Sequence, residues 1–363
     1  MSKVRITQKF LAEKAGVCQK TVSFFLKGEP GIAKETSHKL ERLCKQYKYF
    51  PNAAALSIKN NRFKRIAGIL SCGESSPHFI SYISNAAKEL ALRGYSLSIE
   101  PVQYENDTLE LAVRTDFLKT LSVDGAIGIS GSAVPGTLEK TLAEMDVPLV
   151  WLNRRVENPD IHCLSFDERP AIAQMIEYLI NQKKARRISW IGAPFPLEER
   201  RKEAHYSLST RLNSVNEELA LRGMRLHSCV CTTVKGSIIE AAFRLLDVTN
   251  RPDAVICYNN GFYNSVLEVA HHLGIPENAL EIVSFMSEWE ISPLRSEYRT
   301  SIQLPEGEMA RYGARLLCDM IEGGETHWPV PPLTATFHPG TPLRANIITG
   351  ERQDAPICTD TSP

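Results

Sequence analysis

Residues 12–28 read AEKAGVCQKTVSFFLKG, two short helical stretches around a turn. Phe10, Leu11 and Ala15 before Gly16, and Val17, Val22, Phe25 and Leu26 after it, recur at the spacing of one helix face. Thr7 is placed either to cap the first helix through its orphan N–H groups or to hold a phosphate. Gly16 permits the sharp turn between two crossing helices. Residues 18–26 are expected to form a second helix that turns Cys18, Gln19, Lys20, Ser23 and Phe24 outward. A third helix over about 34–47 supplies Leu40, Leu43 and Tyr47 as the lid of a small core. This is the order of a helix-turn-helix, with the second helix placed to enter a major groove.

The charge around this stretch points the same way. The 363 residues balance 42 Lys and Arg against 42 Asp and Glu, yet residues 1–65 hold fifteen of the basic residues and only four glutamates. The head therefore carries +11 and the remainder −11, a basic polyanion-binding unit on an acidic body. A composition that is 43% hydrophobic over this length supports two or three domains. The nine cysteines show no C-x-x-C pair. Cys229 and Cys231 would share one face of a strand, which suits packing better than metal binding, since no His/Cys partners stand at zinc-finger spacing. The opening MSKVRITQKF lacks the apolar core of a leader, and no run of about 18 apolar residues follows. A cytoplasmic protein without a membrane span is expected.

The segment RITQKFLAEKAGVCQKTVSFFLKG, followed by KYFPNAAALSIK, resembles the N-terminus of lactose-repressor (LacI/GalR) family regulators. The family pattern is met at Thr7, Leu11, Ala12, Ala15, Gly16, Val17, Thr21, Val22, Ser23, Leu26, Pro51, Asn52 and Ala55. By position, the resemblance implies that Gln19 and Lys20 read base edges and that Phe24, beside Ser23, offers apolar contact to a base. Gln can pair with adenine and Lys can donate to guanine. It also implies phosphate contacts at Thr7, Thr21 and Asn52, which fix register without reading sequence. Two positions depart from the pattern: Cys18 stands for Ser, and Lys27 for Asn. In PNAAALSIK (51–59) the resemblance implies a hinge helix that folds only as a pair in the minor groove, with Ile58 as the wedge and Leu56 beside it. Alone, so short a helix does not outweigh its nucleation cost.

From residue 65 strand-like and helical runs alternate: RIAGIL (65–70), YSLSIE (95–100), DGAIGI (124–129) and PLVWLN (148–153), with helices between them at 77–93 and about 107–121. The pattern restarts after Asp167 with helices at 168–183, 198–222, 235–247 and 261–273. Strands are expected at 186–192, about 226–232, 253–258 and 280–285. The expected fold is an all-α head and hinge followed by an α/β body of two doubly wound parallel-sheet lobes, like periplasmic binding proteins. The expected domains are 1–50 for the head, 51–65 for the hinge and linker, and 66–344 for the body. Within the body, one lobe takes about 66–164 with 293–327 and the other 165–292 with 328–344, so that 300–304 and 306–323 return to the first lobe. The tail 345–363 is expected to be disordered.

The resemblance places an effector site in the inter-lobe cleft, at the carboxyl ends of the strands. Asp167 and Arg201 match family pocket positions, although either could equally form a surface ion pair. Asn259 opens NNGFY, where Asn260 replaces the family's Asp and Tyr263 its Ala. Met286 stands where a sugar-binding Asp is usual and cannot accept a hydroxyl pair. Phe79 is either a pocket wall or core. The expectation is thus a sequence-specific transcriptional regulator, a repressor, that binds double-stranded DNA as a homodimer on a pseudo-palindrome. It would be gated by a small-molecule effector, with no cofactor or metal. The alternative is a DNA-binding regulator or architectural protein whose body has lost or altered sugar sensing. An enzyme is not expected: G-x-G-x-x-G after the first strand, G-x-x-x-x-G-K-[ST], G-x-S-x-G and H-E-x-x-H are all missing, and the nine histidines do not cluster.

Overall fold

The structure is a computed structural model. It describes residues 6–27, 29–49, 62–71, 78–101, 116–130, 136–145, 147–155, 161–193, 205–232, 237–287, 299–323 and 333–340. The expected hinge helix and the C-terminal tail lie outside them. Two compact units divide at Lys64 and Arg65.

In the first unit, α1 (Gln8–Ala15) begins where the Thr7 hydroxyl accepts the Phe10 N–H at 3.2 Å. It ends at Gly16, whose φ of 71° lies in the left-handed region that side chains disfavour. Gly16 N–H donates to Glu13 O and Val17 N–H to Ala12 O, the paired bonds that close a helix end. Helices α2 (Gln19–Lys27) and α3 (Lys34–Gln46) follow. Leu11, Ala12, Ala15, Val22 and Leu40 are buried between the three, and Phe10 meets Tyr47 edge-on at 5.0 Å. So small a core leaves little reserve of stability, and each of its apolar positions counts.

The second unit opens with β1 (Arg65–Ser71), α4 (His78–Leu92), β2 (Ser96–Pro101), β3 (Gly125–Ser130), α5 (Gly136–Glu144), β4 (Leu149–Leu152) and β5 (His162–Leu164). These strands form a parallel sheet in the order β2-β1-β3-β4-β5. Gly128 on β3 leaves room for the Trp151 ring, which a Cβ there would overlap. The second lobe follows with α6 (Arg169–Glu177, continued by a π turn to Gln182), β6 (Ile188–Gly192), α7 (Ser207–Ala220), β7 (Cys229–Cys231), α8 (Ile238–Leu246), β8 (Ala254–Cys257), α9 (Asn260–His272) and β9 (Glu281–Ser287). The chain ends, as described, with β10 (Ser301–Leu304), α10 (Glu306–Glu322) and β11 (Thr336–His338). The second sheet runs β11-β10-β9-β8-β6-β7, and β11 is its antiparallel strand.

Three expectations are corrected. Residues 301–304 do not return to the first lobe: β10 pairs in parallel with β9, Ser301 opposite Ser284 and Leu304 opposite Ser287. A four-residue apolar run suits either sheet, and the strand just before it in the described chain supplied the free edge. Helix α10, one residue later, does return, packing on α4 and across β4. Within 107–121 the described part, from Asp116, is a short 3₁₀ turn ending at Thr120. The 198–222 helix begins, among described residues, at Ser207. Strand β5 was not expected, because His-Cys-Leu carries no apolar run of its own.

Candidate functional site

Helix α2 is amphipathic, and its two faces separate the candidates from the core. Val22 is buried, and Phe25 and Leu26 pack on the head core. Cys18, Gln19 and Lys20 are exposed, whereas Thr21, Ser23 and Phe24 are half-buried. Phe24 takes no part in the core cluster; the Lys20 ammonium lies over its ring, 5.4 Å from the centroid. Positions 19, 20, 23 and 24 stand on neighbouring turns, so helical spacing gathers them on one outward stripe. Cys18 occupies the start of α2, where its sulfur lies 3.2 Å from the Thr21 hydroxyl. That hydroxyl, together with nearby backbone N–H groups, holds the thiol below its ordinary range. The Thr7 hydroxyl accepts the Phe10 N–H as the cap of α1 and keeps its own hydrogen to donate. Asn52, Leu56 and Ile58 lie outside the described residues.

The candidate effector residues are dispersed in the body. Phe79 is buried in the main core, and Met286 is 1% exposed among the apolar side chains of the second lobe. Both are packing residues here. Asn259 caps α9, accepting the Phe262 N–H at 3.2 Å. Arg201 lies outside the described residues. Asp167 is exposed, bridges Thr334, and lines a cavity of about 310 Å³ with Arg155, Arg169, Tyr206, Asn213 and Glu217.

Sequence reasoning missed the polar cluster that adjoins this cavity. Asn153, just after β4, adopts φ 58°, a conformation that Asn tolerates better than most residues. The His205 imidazole reaches the Asn153 carbonyl at 2.8 Å, which makes that nitrogen the donor, and Tyr206 donates to the Asn153 side-chain oxygen at 2.9 Å. The Phe166 N–H donates to Tyr206, while Arg155 stacks on the Tyr206 ring at 4.6 Å and donates to the Phe166 carbonyl. Beneath them the buried Arg211 guanidinium donates to both oxygens of Glu168, at 2.6 to 3.0 Å, and to the Tyr258 carbonyl. Burial, reinforced by the Arg211 charge, pushes His205 down to about 4. One signal was present in the sequence: Arg211 stands on the apolar stripe of α7 between Leu208, Leu212 and Val215, where a charge needs a partner. Among the described residues no cluster of three or more His, Cys, Asp or Glu could hold a metal ion, and no helix is long and apolar enough to cross a membrane.

No family model matches the chain. Catabolite control protein A of Staphylococcus epidermidis is 24% identical over 323 residues, spanning 88% of this chain and 93% of that protein. The transcriptional repressor CytR of Escherichia coli K12 is 25% identical over 322 residues, spanning 87% and 90%. Among solved structures, the lac repressor dimer bound to operator and an anti-inducer superposes with a TM-score of 0.74 at 15% identity, covering 93% of this chain and 98% of that one. A CelR–cellobiose complex gives 0.61 at 24% identity, covering 92% and 98%. These structural likenesses establish the shared fold. With the motif of the head and sequence similarity along nearly the whole chain, they show that this chain is similar to transcriptional regulators of the LacI family.

Proposed function

We propose that the protein is a sequence-specific transcriptional repressor that grips two half-sites of a pseudo-palindromic operator as a homodimer. The observation that carries this is the outward stripe of α2, where Gln19, Lys20 and Phe24 stand free of the head core. In the groove, Gln19 and Lys20 read base edges, Phe24 covers a thymine methyl, and Ser23 adds a short polar contact. Thr7, Thr21 and Asn52 fix the register through phosphates, and Leu56 and Ile58 wedge the minor groove. Sequence similarity supports the repressor role, since CytR is named as a repressor. We assign no catalytic activity and no cofactor.

Selection of bound duplexes from a random pool by the full-length protein, at two salt concentrations, tests this. A two-fold symmetric consensus is expected. Salt-sensitive capture without a consensus would show that the head only holds phosphate, and the proposal would fall.

We further propose that a small molecule gates the body, with Asp167, Arg201 and Asn259 as its polar contacts. A body that no longer senses a sugar is the alternative, favoured by Met286, whose thioether is packed into the core where the family usually places a carboxylate. A thermal-shift screen of the full-length protein against sugars and nucleobases separates the two. A concentration-dependent rise in midpoint with a sugar marks retained sugar sensing. A rise with nucleobases alone marks altered sensing, and no rise with either supports the alternative.

A further inference from the structure

Among the described residues strand β7 is the outer strand of the second sheet, paired in parallel with β6, Trp190 opposite Cys229 and Gly192 opposite Cys231. Val230 packs against the second lobe's core, so the pleat sends Cys229 and Cys231 to the opposite face. Cys229 is exposed and Cys231 half-buried, whereas Cys257 and Cys318 are sealed in the core. We propose that Cys229 and Cys231 are a modification site, a dithiol that hydroperoxides oxidise reversibly to an intrastrand disulfide. The two thiols hydrogen-bond to each other, which brings Cys231 down to about 7 and pushes Cys229 up. Within this proposal Cys231 takes the part of the attacking thiolate and Cys229 that of the resolving thiol.

The chemistry balances in two steps. The Cys231 thiolate attacks the outer oxygen of a hydroperoxide. The O–O bond breaks, Cys231 becomes a sulfenic acid, and the leaving alkoxide or hydroxide takes a proton from solvent. The Cys229 thiol then gives up its proton as its sulfur displaces hydroxide from the sulfenic sulfur, releasing water and closing the S–S bond. Two electrons pass from the thiols to the peroxide, and two hydrogens leave the protein.

Geometry explains why this bond would be easily reversed. Residues two apart in a strand have Cα atoms about 6.6 Å apart, near the upper limit of about 6.8 Å for a disulfide. Their Cβ atoms must close to about 4 Å, so β7 must buckle. A strained disulfide is readily reduced. A strand of three residues at the edge of the described sheet can buckle with little disturbance to the strands beyond β6. The register bond from the Thr232 N–H to the Gly192 carbonyl, 3.1 Å long, is the first contact at risk.

The test uses the full-length protein treated with modest hydrogen peroxide, blocked with iodoacetamide and cut with trypsin. Cleavage after Arg225 and Lys235 frees both cysteines in one peptide that holds no other. The expected product is that peptide two hydrogens lighter, unalkylated, and restored by dithiothreitol. In Cys229→Ser the remaining Cys231 should be trapped by dimedone about tenfold faster than the remaining Cys229 in Cys231→Ser. A peptide that stays doubly alkylated while Cys18 is oxidised overturns the proposal, as does a disulfide found only between chains. Equal dimedone rates in the two variants, with unchanged thermal midpoints, overturn the assignment of roles.

Discussion

Lys20 and Thr21 are neighbours on α2, yet the proposed interface gives them different duties. The Lys20 ammonium sits over the Phe24 ring. Lys20→Ala should weaken binding to the selected operator by about 1–3 kcal/mol and relax preference at one base pair of each half-site. Thr21→Ala should weaken all sequences nearly alike, because a phosphate contact carries no base information. Competition against duplexes altered one pair at a time checks both, and a uniform loss for Lys20→Ala would remove it from the groove. The exposure of Gln19 and Lys20 was legible because helix period decides which positions face away from the core, whereas the duties proposed for them come from the resemblance. Phe79 and Met286 were not legible, because an apolar side chain reads the same on a cleft wall and in a core until its neighbours are known.

Among the elements, α7 and the turn before it hold the polar cluster at the crossover between lobes. His205 is buried in its neutral form, with a folded value near 4 against about 6.5 unfolded. Its contribution to stability is complete above about pH 6.5 and is lost as pH falls toward 4, because the unfolded chain then binds the extra proton. About 3 kcal/mol is at stake, and the urea midpoint should drop between pH 7 and pH 5 by more in the native protein than in His205→Gln.

Arg211 and Glu168 make a sharper case, since the guanidinium also stacks on Phe285 at 4.2 Å. Arg211→Met should cost about 3–5 kcal/mol by leaving the carboxylate buried alone, and adding Glu168→Gln should recover much of it, as equilibrium unfolding would show. Most strands and helices were legible from apolar runs and their breaks. The cluster was not, because Asn153 and its partners His205 and Tyr206 lie some fifty positions apart in sequence. Nothing local in either segment announces the other. The short β5 and the sheet membership of β10 were hidden for a related reason: edge pairing is decided by what lies alongside, not by the run itself.

At the scale of the whole molecule, a balanced total charge conceals a +11 head on a −11 body. Binding should therefore be steeply salt dependent despite the neutral total, with affinity falling about a thousandfold between roughly 50 and 200 mM salt for six phosphates neutralised. Titration of the selected duplex across that range gives the slope, and a flat response would sink the electrostatic account of the head. The split is legible only when charge is counted by segment.

The placement of α10 bears on how the chain is made. Its buried Met309, Ala310, Ala314 and Leu317 complete the first lobe, and Arg93 on that lobe pairs with Asp319, 226 positions downstream. A ribosome that has finished β5 must still synthesise more than a hundred residues before this cover exists, a delay on the order of ten seconds. During that interval the nascent first sheet has an apolar face that α4 covers only in part, the state in which chains aggregate or recruit chaperones. Truncation before α10 therefore removes more than a C-terminal segment. It leaves the first lobe of the body without the surface on which its folding ends.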